Sequence, residues 1–287
     1  MSTRLADYVD QRRIGEATVT VISEGSLVWA PHFPVPEAEW RAAMPEANEA
    51  GEVQLGLNLV HLRLGDASIM VDPGCDDPGS AWHEGFAKRF KGVSRTPGLG
   101  RALEGIGVLA QDITHVLITH GHGDHFAGVT VEEGDALIAR FPNARHFIGR
   151  GDWEGNPNRE RPGSEMALSL GTIDRLGLLE AVEGEREIVP GVTMIPAPGE
   201  SPGHTIVRVR SGNDSFYYVG DLFHHACEVS HPDWISPGRD QAAMRASRDR
   251  LFAEAGPVHA TLVFAHERFP GWGHFVTVDG GYRWELT

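Results

Sequence analysis

The stretch Thr119-His120-Gly121-His122-Gly123-Asp124-His125 constrains this chain more than any other. Three histidines and an aspartate fall within six positions, and two glycines leave the backbone free to bend. Imidazole nitrogen and carboxylate oxygen are the donors that zinc and similar divalent ions prefer. Packing alone seldom gathers free imidazoles in this way. The apolar run Ile113 to Ile118 just before it reads as a buried strand. The pattern therefore predicts a metal site at the C-terminal end of a strand, where α/β sheets usually carry their sites.

The flanking segments supply the rest of the frame. Ala17 to Ile22 alternates as a strand does. Residues 29–52 hold Trp29, Pro31, Phe33, Pro34, Pro36 and Trp40 and read as an irregular arm: a packed surface loop, a dimer arm or a wall of the cleft. Leu55 to Leu64 and Ala67 to Val71 form a predicted hairpin turning at Gly65-Asp66 and ending in Asp72-Pro73-Gly74. Leu99 to Leu109 suits a helix. Beyond the motif, Val131 to Phe141 and Glu165 to Ala181 read as helices, Arg145 to Ile148 as a strand and Asp152 to Gly155 as a turn. The expectation is one domain over residues 1–287, with an N-terminal arm about 1–52 and a helical insert about 127–185.

The second half repeats the arrangement. A strand over Thr193 to Ile195 leads into a Pro-Gly turn ending at His204. Strands Ile206 to Arg210 and Ser215 to Val219 join at Gly212-Asn213 and end in Gly220-Asp221. A loop with His224, His225 and His231 precedes a helix from Gly238 to Glu254, with Ser236 as its predicted N-cap and Pro237 at its first position. A strand over residues 260–265 ends at His266, and two short strands close the chain. This order predicts an α/β (α+β) fold in which two sheets pack face to face with helices outside.

Four strand ends thus carry five histidines and two aspartates: His120, His122, Asp124, His125, His204, Asp221 and His266. A single catalytic zinc takes three protein ligands and a water. Seven donors suit two ions roughly 3.5 to 4 Å apart that share a carboxylate and a hydroxide. Such a pair makes a nucleophile at neutral pH and polarises the oxygen under attack.

Composition narrows the partners. The formal charge is −15, and lysine occurs only at Lys88 and Lys91. Such a surface repels phosphate backbones, which argues against nucleic acid as a partner. Two cysteines, Cys75 and Cys227, are too few for a disulfide framework and suggest a reducing compartment. No apolar segment is seen near Met1 and no stretch has a membrane span's length, so the expectation is a cytoplasmic protein without membrane contact.

H-x-H-x-D-H followed by an isolated His, an Asp and a final His, each after a strand, resembles the metallo-β-lactamase superfamily over roughly residues 17–285. The resemblance implies a four-layer αβ/βα sandwich with the site at one edge. It implies that His120, His122 and His204 hold one ion, that Asp124, His125 and His266 hold the other, and that Asp221 bridges them. It also implies that Asp72 orients ligands by hydrogen bonds. Zinc is the expected metal of the pair, with manganese, cobalt and iron the alternatives.

Within the superfamily, Gly220-Asp221-Leu222-Phe223-His224 and the segment from His266 through Phe269-Pro270-Gly271 to His274 are similar to the branch of methyl parathion hydrolase and its lactonase-active relatives. That likeness implies a homodimer-forming binuclear hydrolase that opens a lactone or cleaves a small ester, with phosphotriesterase side activity. A glyoxalase II-like thioester hydrolase and an iron-dependent persulfide dioxygenase are the alternatives. Smaller acyl-homoserine lactonases carry a tyrosine three residues past the bridging Asp, where this chain has His224. His224 and Asp124 are accordingly the candidates for proton transfer. A small apolar substrate calls for aromatic walls, and Trp153, Phe223, Phe269 and Trp272 lie beside the ligand loops.

Overall fold

The computed structural model describes residues 3–287. Two large sheets form its centre. The first holds β1 (Val9–Ile14), β2 (Ala17–Trp29), β3 (Val53–Leu64) and β4 (Ala67–Val71), with the short β5 (Ser94–Arg95) on the edge of β2. It continues through β6 (His115–Ile118) and, beyond the hairpin β7 (Thr130–Glu133) and β8 (Ala136–Ala139), through β9 (Arg145–Gly149) and β10 (Leu179–Val182). Strands β1 to β4 are antiparallel, and β4, β6, β9 and β10 are parallel. The second sheet runs in chain order: β11 (Arg186–Val189), β12 (Val192–Pro196), β13 (Thr205–Ser211), β14 (Asp214–Tyr218), β15 (Thr261–Val263), β16 (Gly273–Val278) and β17 (Gly281–Leu286).

Alternating side chains explain the layering, because successive residues of a strand face opposite ways. Ile69 and Val71 of β4 and Leu117 of β6 point to the other sheet and meet Val207, Val209, Phe216 and Val263 there. Met70, Val116 and Ile118 point outward and pack against helices α3 (Leu99–Gly105) and α6 (Glu165–Arg175). On the far side, Ile206 and Tyr217 pack against Met244, Leu251 and Phe252 of α8 (Gln241–Ala255). Helix, sheet, sheet, helix is the expected four-layer sandwich.

A fourth apolar cluster folds the N-terminal arm back onto the domain. Trp40 and Met44, on and just after α1 (Glu37–Ala43), pack with Leu55, Leu57, Cys227, Trp234 and Phe86, the last from α2 (Ala81–Arg89). Trp29 and Phe33 lie partly buried against it.

Several predicted elements change. Val131 to Phe141 is not a helix but the β7–β8 hairpin, which turns at Gly134-Asp135 with Gly134 at φ 60°. A glycine in the left-handed region favours a tight hairpin turn and weakens a helix interior. The stretch 127–185 therefore carries one long helix, α6, and also strands β9 and β10 of the first sheet. Helix α6 stops at Arg175 and not near Ala181, because Gly177 at φ 71° turns the chain into β10. Helix α3 likewise stops at Gly105, before Gly107 at φ 72°. Asp152 lies in the single helical turn α5 (Arg150–Trp153). The loop 222–236 contains another, α7 (Cys227–Ser230). Helix α8 begins at Gln241 with Asp240 as N-cap, its carboxylate accepting from Ala243 N at 3.0 Å. The Ser236-Pro237-Gly238-Arg239 segment closes a turn instead, with Arg239 N donating to Ser236 O at 3.0 Å. Arg239 is thereby left in a loop, free to reach sideways.

Two core histidines make stability depend on pH. Burial pulls His61 and His146 down to about 4. Both are neutral in the folded protein above that value, whereas the unfolded chain protonates them below about 6.5. The unfolded state then binds more protons between those limits, so stability falls as pH falls through that window. Each histidine is expected to cost about 2 kcal/mol at pH 5 relative to pH 7.5. Denaturant midpoints of the wild type and His146→Met at the two pH values check this. Equal losses in both proteins would rule out the contribution of His146.

Candidate metal centre

The site forms where strands of both sheets end on the same edge. β6 delivers Thr119 and His120; His122 caps helix α4 (Gly123–Phe126), whose first turn carries Asp124 and His125. His204 immediately precedes β13, Asp221 lies three residues past the end of β14, and His266 follows β15. The two halves are stitched by Thr205 N donating to Thr119 O at 2.8 Å. Gly220 sits at φ 51°, and a Cβ there would lie 2.9 Å from His204 Nε2 and 3.0 Å from Thr119 Oγ1. Glycine is what lets the Asp221 strand end come this close to the ligand loop.

The ligand rings are fixed by their outer nitrogens. His125 Nδ1 donates to Asp72 Oδ2 at 2.8 Å, His266 Nδ1 to Gly56 O at 2.9 Å and His204 Nδ1 to Ala197 O at 2.9 Å. Thr119 Oγ1 donates to Asp72 Oδ2 at 2.8 Å and lies 3.1 Å from His120 Nδ1. Each ring then turns Nε2 inward as a lone-pair donor, the arrangement metal-binding histidines adopt. Asp72 is fully buried, at φ 52°, and also accepts from Thr119 N at 2.7 Å. Asp72→Ala is expected to weaken metal binding about 10- to 100-fold. Titration of the metal-free protein against a chelating dye measures this, and wild-type affinity in the variant would contradict it.

Two groups of donors converge. His120, His122, Asp221 and Glu200 offer ligand atoms within 4.8 Å of one another, and so do Asp124, His125 and His266. Asp221 lies between the groups. Its Oδ1 is 3.2 Å from both His125 Nε2 and His266 Nε2, and its Oδ2 is 3.6 Å from His120 Nε2. His120 Nε2 and His122 Nδ1 face each other at 2.8 Å. His125 Nε2, Asp221 Oδ1 and both Glu200 oxygens are buried without a hydrogen-bond partner. Buried polar atoms are rarely left so. Divalent cations fit this donor set and would satisfy the unpaired atoms. His204 stands a step back, its Nε2 accepting from Asp221 N at 3.2 Å and its ring centroid 5.1 Å from that of His120.

The electrostatics follow from crowding. Burial and the neighbouring His125 push His120 well below the ordinary histidine range. Burial alone would raise Asp221, yet the imidazoles of His266, His125 and His120 hold its carboxyl well below the usual carboxylate range. His224 is raised to about 9: burial pulls it down, and Asp221, Glu200 and Glu228 outweigh that pull. Its Nε2 lies 3.4 Å from Asp221 Oδ2, and its ring stacks on His266 at 5.5 Å and on Trp29 at 6.1 Å.

A cavity of about 400 Å³ opens onto this cluster. His122, Asp124, Asp221, His224 and His266 form its polar side; Leu27, Trp29, Leu55, Phe86 and Phe90 form its apolar side. The four aromatics expected as walls are elsewhere. Trp153, Phe223 and Trp272 are buried in three different core clusters, and Phe269 packs against the core between the sheets. Trp272 even spends its indole N–H on Asp10 Oδ1 at 2.6 Å. The end of β2, the start of β3 and α2 with Phe90 supply the apolar wall instead. Proximity in sequence misled here: these side chains pack into the core clusters and not towards the cavity.

Three residues at the site were not singled out from the sequence. Glu200 is buried, and its carboxylate is 3.4 Å from His122 Nδ1. Arg239 pairs with Glu200 and lines the cavity. Asp152 accepts from Gly121 N at 2.7 Å, Ser201 Oγ at 2.6 Å and Gly203 N at 2.6 Å, tying the two ligand loops together. An acid four residues before a candidate ligand, in Gly199-Glu200-Ser201-Pro202-Gly203-His204, was the available signal for Glu200.

The comparisons agree with this geometry. A probable metallo-hydrolase of Mycobacterium tuberculosis is 26% identical over 186 residues, which is 56% of this chain and 54% of that protein. An N-acyl homoserine lactonase of Bacillus cereus is 30% identical over 109 residues, 38% of each chain. The matched part thus spans about half the length of these relatives or less. Among solved structures, AidC, a dizinc quorum-quenching lactonase, has a TM-score of 0.76 at 22% identity and covers 98% of this chain and 97% of its own. A probable metal-dependent hydrolase from Staphylococcus aureus has a TM-score of 0.80 at 23% identity, covering 96% of this chain and 99% of its own. Likeness at such identity shows a shared fold. The family model for the metallo-β-lactamase superfamily matches residues 58–266, a span that ends on the last ligand histidine. With the four-layer sandwich and the strand-end donors in place, the chain belongs to the metallo-β-lactamase superfamily.

Proposed function

We propose that this protein is a two-metal hydrolase that opens a lactone or cleaves a small carboxylic ester, with phosphotriesters as side substrates. The observation that carries this reading is the division of the cavity. A wall of Leu27, Trp29, Leu55, Phe86 and Phe90 faces a floor of metal-type donors, so an apolar acyl or aryl group can lie on one side while its polar carbonyl meets the other. AidC and the Bacillus cereus protein are lactonases by name, and both are similar to this chain.

His120, His122 and His204 would hold one ion and Asp124, His125 and His266 the other, with Asp221 between them; zinc is the proposed metal. When bound, the ions supply a hydroxide at near-neutral pH and polarise the carbonyl. The chain's own groups do the rest. Asp221 fixes the spacing of the two donor groups. The apolar wall orients the substrate and excludes water beside the carbonyl. His224, reaching the cavity beside His266, delivers a proton to the leaving alkoxide oxygen. Asp124, which also lines the cavity, takes up the proton released when the adduct collapses.

Elemental analysis of the purified protein, then one substrate panel on the same batch, tests this. The panel holds an acyl lactone, an aryl ester, a phosphotriester, a glutathione thioester and a glutathione persulfide. Turnover of the lactone or ester, lost on chelation and restored by zinc, is the expected result. Turnover of only the thioester or only the persulfide would replace this reading with the corresponding rival.

A further inference from the structure

We infer that Glu200 is an additional protein ligand of the ion held by His120 and His122, an inference that rests on the two-metal reading above. The side chain of Glu200 is wholly inaccessible, and neither carboxylate oxygen accepts a well-directed hydrogen bond, Oε1 being met only by the ion pair with Arg239. A structural carboxylate buried this deeply normally has its lone pairs filled by N–H donors. Here the oxygens face the site instead: Oε1 is 3.4 Å from His122 Nδ1, and Oε2 is 3.9 Å from His224 Nε2. Glu200 shares a group with His120, His122 and Asp221 in which all ligand atoms lie within 4.8 Å, while His204 Nε2 is turned to the Asp221 amide.

The carboxylate is also held in place. Its loop is pinned on one side by Ser201 Oγ donating to Asp152 Oδ2 at 2.6 Å. On the other side Asp240 N donates to Gly199 O at 3.0 Å. Arg239 approaches Glu200 as an ion pair but not with a well-directed hydrogen bond, and its own Nε is also without a partner. Arg239 thus balances the negative charge at Oε1 from the cavity side and leaves Oε2 without a close partner, available to a cation. With Glu200 the first position has two carboxylates, Asp221 and Glu200, as the second has Asp221 and Asp124. Oxygen donors favour harder ions, so Glu200 shifts that position from zinc towards manganese or iron(II).

The test measures metal binding and not turnover. Wild type, Glu200→Gln and Arg239→Met are stripped, refilled with zinc or manganese, and analysed for metal content and affinity by competition with a chelating dye. Cobalt(II) absorption reports the coordination of each position. Glu200→Gln is expected to bind the first ion about 10- to 100-fold more weakly, judged by what ligand supports cost, with the second unchanged. Its manganese-to-zinc ratio at equal supply should fall, and its cobalt spectrum should change. Arg239→Met should keep both ions. If Glu200→Gln folds poorly, the double variant Glu200→Gln/Arg239→Met, which removes both charges, takes its place. Two ions bound with wild-type affinity and an unaltered cobalt spectrum in either Gln variant would overturn the inference. Wild-type protein that binds no pair of ions would instead overturn the two-metal reading.

Discussion

Replacing Asp221 by Ala is expected to lower kcat/KM on the best lactone or ester by about 10³- to 10⁴-fold, the several kcal/mol that metal-assisted charge stabilisation supplies. Asp221 is the one side chain that faces both donor groups, with oxygens within 3.6 Å of His120, His125 and His266. Without it, buried imidazoles face one another with no negative charge between them, and either ion would sit on a depleted set. Asp221→Asn keeps the shape and removes the charge, so a similar loss in both variants assigns the effect to charge. Melting curves of the metal-free variants show whether the fold persists. Near-wild-type turnover with both ions retained would sink the assignment of Asp221 as the shared ligand.

His224→Phe is expected to lower kcat on an alkyl lactone by about 10²-fold, the lower end of what a positioned general acid contributes. Phenylalanine keeps the stack between Trp29 and His266 and removes only the proton donor. An aryl ester, whose phenoxide leaves without help, should lose much less. A uniform loss over leaving groups would mean that His224 shapes the wall. No loss on the lactone would remove it from the chemistry. The ring is well placed for the role, because Glu228 Oε1 accepts from both His224 N and His225 N at 3.0 and 2.9 Å. Buried Arg248 of α8 pairs with Glu228 in turn and donates to Leu222 O at 2.9 Å. The turn that carries His224 is therefore anchored to the helix layer.

What could be foreseen and what could not follow a physical line. His120 to His125, Asp221 and His266 were legible because metal donors at strand ends are rare and specific, and two alternating half-chains fit only a few layered folds. The β7–β8 hairpin was missed because Val131 to Phe141 is apolar enough for either element, and the single Gly134 decides between them. Helix α8 was placed four residues early, since Ser236-Pro237 looks like a cap until Asp240 takes the role. Glu200, for which the only local signal was its place four residues before His204, and Arg239 and Asp152 were missed for another reason. Their importance lies in contacts distant along the chain, from the 31 residues between Gly121 and Asp152 to the 78 between His122 and Glu200. The walls failed for the same reason in reverse, since the cavity takes Trp29 and Leu55 from the N-terminal part of the chain and not from the ligand loops.

That last arrangement bears on how such a protein can change. The candidate metal donors, Asp221 among them, and His224 come from strand ends and turns locked between the layers. The apolar wall of the cavity comes from the end of β2, the start of β3 and α2, which pack with the arm in a cluster that includes Leu27, Trp40, Met44, Leu55 and Phe86. On the proposed function, reaction and preference would reside in separate pieces of chain. Drift or deliberate exchange along Leu27 to Trp29 and Phe86 to Phe90 can retune which acyl or aryl group is accepted while every ligand stays where it is. A library confined to those two stretches would explore new substrates from a constant chemical engine.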